Sequence, residues 1–104
     1  MFILKGVNIF PVQIDTVLMR TPEVGNNYQV ILEREDFQDR MVVKVEVLPE
    51  FFKGDLRQLE ALRRAITEGL KSEILVTPKV ELVEPDSLPK SEGKAVRVID
   101  RREL

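Results

Sequence analysis

Near each end the chain pairs a glycine, which frees the backbone, with a lysine, which carries charge. Lys5 precedes Gly6 in LKGVNIFP, and Lys94 follows Gly93 in LPKSEGKAVRVIDRREL. Ser91 and Gly93 permit a tight exposed turn, and the four-carbon stem of Lys94 can hold an ammonium several ångströms beyond it. A mobile point cation of this kind suits a phosphate or carboxylate whose negative charge shifts during a reaction. Gly6 lets the backbone bend toward a ligand, and Asn8 offers amide hydrogen bonds.

Taken singly, each stretch has a plainer reading. A Gly-Lys pair is more often part of a solvated loop, and SEGK lacks the G-x-x-x-x-G-K-[ST] spacing of a phosphate-binding loop. LKGVNIFP reads equally as a β-bulge before a helix, with Lys5 in solvent. Arg97, Arg101 and Arg102 alternate with Glu92, Asp100 and Glu103. That mixture predicts a solvated face whose salt bridges contribute little each.

Composition narrows the chemistry. The 104 residues include no Cys and no His, which removes thiolate nucleophiles, sulfur ligands and the usual general base. An all-carboxylate magnesium or calcium site stays open, but no D-x-D-x-D-G calcium loop occurs, and no residue is assigned to a metal. The formal charge of -2 lacks the basic excess of nucleic-acid or membrane-surface binders, so neither partner is expected. The apolar runs are too short to span a bilayer, and MFILKGVN lacks the zones of a signal peptide, so a cytoplasmic protein is expected. A self-sufficient enzyme is not expected from these residue types.

The elements that must position the two lysines follow from periodicity. FILKGVNIF predicts a short strand, a bend and a second extended piece. Pro11 opens a helix with Ile14, Val17 and Leu18 on its apolar face, ending near Arg20, and PEVGNN is expected as a loop. Tyr28, Val30 and Leu32, then Met41, Val43, Val45 and Val47, alternate with polar residues. This predicts an antiparallel hairpin with one buried face, ended by Pro49. Asp55 caps a second helix with Leu56, Leu59, Arg63, Ile66 and Leu70 on one stripe and Leu62 beside it. TPKVELVEP predicts a strand with Val80 and Leu82 or Val83 inward. PDSLPKSEGK is expected as a polar loop, and AVRVI as a last short strand. The order β, α, β, β, α, β implies a single α+β domain over residues 1–104. Its expected form is split βαβ-like, a mainly antiparallel sheet with two helices packed on one face.

KGVNIFPVQIDTVL and LPKSEGKAVRVIDRREL, with NNYQVILERE and MVVKVEV between them, resemble the C-terminal domain of the phenylacetate-CoA ligases, members of the acyl-adenylate-forming superfamily. The resemblance covers nearly the whole chain. It implies ATP and Mg2+, bound mainly by a large N-terminal domain, with coenzyme A as co-substrate and an aryl acid as substrate. It implies that this domain is a mobile lid, inactive alone, serving each half-reaction in a different orientation. Lys94 matches the adenylation lysine, with Gly93 in the loop that delivers it. Lys5, Gly6, Val7 and Asn8 match the loop lining the passage for coenzyme A. The hinge residue of the family would stand just before Met1. The competing expectation is a small non-catalytic, ferredoxin-like regulatory or binding module, and a homodimer stays open on either reading.

Overall fold

Lys5 and Gly6 both adopt positive φ, +51° and +80°. Between the paired residues Leu4 and Val7 they close a two-residue turn joining β1 (Phe2–Leu4) to β2 (Val7–Ile9). Positive φ at both central positions is the turn geometry that matches strand twist. The structure is a computed structural model describing residues 2–88, 90–91, 94–95 and 98–102, with only the backbone described at 26, 90–91 and 94–95.

Pro11 begins α1 (Pro11–Met19), which buries Ile14, Val17 and Leu18 as the spacing predicts. Its start is fastened by Gln13, whose side-chain oxygen accepts from the Phe10 N–H at 2.9 Å. β3 (Val24–Glu35) and β4 (Gln38–Val47) form the antiparallel hairpin. Tyr28, Val30, Leu32, Met41, Val43 and Val45 join Ile14, Val17, Leu18, Ile66, Leu70 and Ile74 in the core. α3 (Leu56–Ile74) is capped by Asp55, which accepts from the Arg57 N–H at 2.8 Å. β5 (Lys79–Val83) pairs with β4, and β8 (Val98–Asp100) pairs with β3. The sheet order is β5-β4-β3-β8.

The α+β architecture is as expected: α1 and α3 pack on the inner face of the sheet, and antiparallel pairing predominates over the described chain. The connectivity adds detail. β4, α3 and β5 form a direct βαβ unit of adjacent parallel strands, and the outer ladders, β4 with β5 and β3 with β8, are both parallel. β1 pairs with β2 outside this sheet.

Four local expectations are revised. PEVGNN is not all loop, because β3 already begins at Val24 and pairs irregularly until Tyr28. The hairpin does not have one buried face: Gln29, Ile31 and Glu46 on the other side are also buried. Leu56 is 80% exposed and leaves the helical stripe, whose buried part is Ile66, Leu70 and Ile74. The segment after Pro85 contains a small hairpin of β6 (Lys90–Ser91) and β7 (Lys94–Ala95). A short helix, α2 (Pro49–Phe52), also follows β4.

Candidate functional site

The Lys5–Gly6 turn and the Lys94 strand each belong to a two-stranded sheet of their own, set beside the four-stranded one. The turn stands beside the closed end of the β3–β4 hairpin, sharing an open cleft with Arg34, Phe37, Gln38 and Asp39. A second cleft there is lined by Ile3, Lys5, Gly6, Arg34, Asp100 and Arg102, with Asp39 again. Asp36 and Phe37, at φ +52° and +65°, form the hairpin tip without a glycine. Each costs about 1–2 kcal/mol in that conformation. Phe37 is fully exposed.

Two arginines share one carboxylate at this end. Arg34 Nε donates to Asp39 Oδ1 at 2.7 Å, and Arg102 Nη1 donates to Asp39 Oδ2 at 3.0 Å. Arg102 Nη1 also donates to the Ile3 carbonyl at 2.6 Å, while its Nε and Nη2 grip both oxygens of Asp100 at 3.0 Å. The Arg34 hydrogen bond, more than the Arg102 bond, holds Asp39 below the usual carboxylate range. Arg102 itself is raised, first by Asp100 and then by Asp39. Arg102 is only 12% exposed at its side chain. It is therefore no solvated tail cation, as the sequence suggested, but a clamp joining β1, the hairpin and the segment after β8. The two arginines and two aspartates compensate each other. Lys5 has no ion pair or hydrogen bond among the described residues, so it is the cation left to meet an external anion.

The flanking residues divide by side. Val7 is half-buried and packs against the core, whereas Asn8 is exposed. A Cβ built on Gly6 would meet nothing within 4 Å. Within this domain glycine is thus required by φ and not by crowding.

At the other end, β7 opens at Lys94, whose backbone pairs with Ser91. Glu92 and Gly93 lie outside the described residues, as does the side-chain placement of Lys94. The base of this hairpin is held by a residue that sequence reasoning left in solvent. Glu46 is 3% exposed. Its Oε1 accepts from Asn27 Nδ2 at 3.2 Å and from the Asp86 N–H at 3.0 Å, and its Oε2 accepts from the Leu88 N–H at 3.1 Å. Hydrogen bonds to a charged group contribute about 1.5–3 kcal/mol each, which offsets the cost of burying it. No local signal marks Glu46, because its burial depends on a segment forty residues later. Along β4, Asp39 at one end and Glu46 at the other are seven residues apart, roughly 23 Å at the usual strand rise.

The family model for "AMP-binding enzyme C-terminal domain" matches residues 6–102. The chain belongs to this family. Its relatives include phenylacetate-CoA ligases. The Thermus thermophilus protein of that name is 40% identical over 98% of this chain, which covers 26% of that protein. A solved domain of phenylacetate-coenzyme A ligase from Bacteroides vulgatus superposes with a TM-score of 0.91 at 50% identity, covering 100% of this chain and 94% of the other. A 2-hydroxyisobutyryl-CoA ligase, solved with 2-HIB-AMP and CoA in its thioesterification state, has a TM-score of 0.89 at 33% identity. That match covers 99% of this chain and 21% of the other. The chain spans about a quarter of the length of the curated relatives it matches. A free-standing ferredoxin-like regulatory module finds no support among these relatives. Among the described residues no helix is long and apolar enough to cross a membrane.

Proposed function

We propose that this domain is the mobile lid of an ATP-dependent aryl-acid CoA ligase, serving the two half-reactions with its opposite ends. In the first, a carboxylate attacks the α-phosphorus of ATP, and acyl-AMP and pyrophosphate form. In the second, the thiol of coenzyme A attacks the acyl carbon, giving the thioester and releasing AMP. Lys94 would stand between the acid carboxylate and the α-phosphate, steadying charge as the new bond forms. Gly93 belongs to the loop that delivers it. Lys5, Gly6, Val7 and Asn8 would line the passage for the pantetheine arm, with Lys5 free for a phosphate of the cofactor. The large N-terminal domain supplies the nucleotide and acid pockets and holds Mg2+. Among the described residues here no group of three or more acidic side chains stands together for a metal.

The observation that carries this reading is the separation of the two motifs. The glycine turn shares a cleft with Asp39 at one end of β4, and the segment leading to Lys94 is bound by Glu46 at the other, roughly 23 Å along the strand. A domain that turned between steps would present one end and then the other to a single reaction centre. The test uses the full-length enzyme. Lys94→Ala should slow adenylation roughly 10²–10³-fold, with thioester formation from preformed acyl-AMP nearly unchanged. Gly6→Trp should do the reverse, while Gly6→Asn, which tolerates the left-handed φ, should keep stability and slow the thioester step less. Equal loss of both steps in Lys94→Ala, with the fold intact, overturns the assignment.

A further inference from the structure

Glu46 is a buried carboxylate whose described partners are one side-chain amide and two backbone N–H groups. An apolar residue of similar size would leave the Asp86 and Leu88 N–H groups and the Asn27 amide without this acceptor. What a carboxylate adds is direction: its two oxygens fix where the Asp86 and Leu88 amides lie. That turn needs fixing, because Asp86 adopts φ +60° without being glycine. The site is also built to approach closely. A Cβ on Gly25 would come within 3.3 Å of the Glu46 carbonyl, so glycine lets the irregular start of β3 close over it. Leu88 is buried against this site, and β6 begins two residues later at Lys90, leading through β7 to Lys94. The β7 strand in turn lies against β3.

We propose that Glu46 is a positioning residue for Lys94. Its carboxylate anchors the turn from which the Lys94 hairpin springs, so that the ammonium arrives preplaced when the lid closes for adenylation. This rests on the role of Lys94 given above. A catalytic cation displaced by about 1 Å can lose roughly 10²-fold in rate, so an anchor at the hairpin base is read out in adenylation alone.

The experiment compares Glu46→Gln, Glu46→Ala, Lys94→Ala and the double variant Glu46→Ala/Lys94→Ala in the full-length enzyme. Both half-reactions are measured separately, and folding is checked by thermal unfolding. Glu46→Gln keeps one accepting oxygen but turns an amide donor toward a backbone N–H. It should lower the adenylation kcat roughly 10-fold, and Glu46→Ala roughly 10²-fold, with KM for ATP within about twofold. Thioester formation from preformed acyl-AMP should stay within about twofold in both. In the Lys94→Ala background the loss of Glu46 should have no further effect on adenylation, because it acts through that lysine. Additive losses in the double variant, or equal slowing of both half-reactions by Glu46→Gln, overturn the proposal and leave Glu46 a purely structural anchor. If Lys94→Ala adenylates normally, the assignment of Lys94 fails and this role falls with it. If Lys94→Ala is slow while both Glu46 variants are normal, only the positioning role is refuted.

Discussion

The Asp100 carboxylate is held from its ordinary 3.8 down to about 2, first by the side-chain hydrogen bond from Arg102 and then by that residue's backbone N–H. Depression in the folded state means that the unfolded chain takes up the proton first as pH falls. The contribution is therefore complete above the unfolded value and disappears as pH falls through the folded one. Resistance to urea should be flat near neutrality and decline between about pH 4 and pH 2. Asp100→Asn should lower the urea midpoint at pH 7 and flatten that acid decline. Some slope should remain, because Asp39 and Glu60 are lowered as well. Identical acid slopes in the two proteins would remove the Arg102–Asp100 clamp from the account. The clamp was not legible in the sequence, since Arg102 and Asp39 are 63 positions apart and only the fold brings them together. The Lys5–Gly6 bend was legible, because the demand it meets, positive φ in a two-residue turn, is local.

Helix α3 carries Gly69 against α1, where a Cβ would lie 3.0 Å from Val17 Cγ1. Glycine within a helix costs about 1 kcal/mol against alanine, a loss accepted here for the contact between the helices. Val17 is β-branched and held to one rotamer, so it cannot easily swing aside. Gly69→Val should therefore destabilise the domain by about 2 kcal/mol in urea unfolding. In a Val17→Ala background, which opens the space, the loss should shrink markedly. A loss unchanged in that background would place the strain elsewhere. The helices and paired strands were legible because one buried face imprints a period on the sequence. The second buried face of the hairpin was not: Gln29, Ile31 and Glu46 break the alternation, and Glu46 is held by the Asp86–Leu88 segment forty residues later. Leu56 shows the converse: its spacing fits the stripe, yet it stands exposed at the start of α3, whose buried residues lie in its second half.

The whole domain presents its lysine hairpin at one end and its glycine turn at the other, so damage at either end should be separable in one protein and repairable by another. A full-length Lys94→Ala enzyme should fail at adenylation yet still convert acyl-AMP. A full-length Gly6→Trp enzyme should form acyl-AMP yet fail to pass the acyl group to coenzyme A. Mixed in equal amounts with acid, ATP, coenzyme A and a pyrophosphatase to draw adenylation forward, the pair should make thioester faster than the sum of the two alone. The acyl-AMP must leave one molecule and enter the other, so the gain should rise with protein concentration. It should fall when a hydrolase that destroys free acyl-AMP is added. If one orientation of the lid served both steps, each substitution would disturb a shared centre and both variants would be impaired in both half-reactions. The mixture would then show no gain at any concentration, and the two ends of the domain would not serve separate steps.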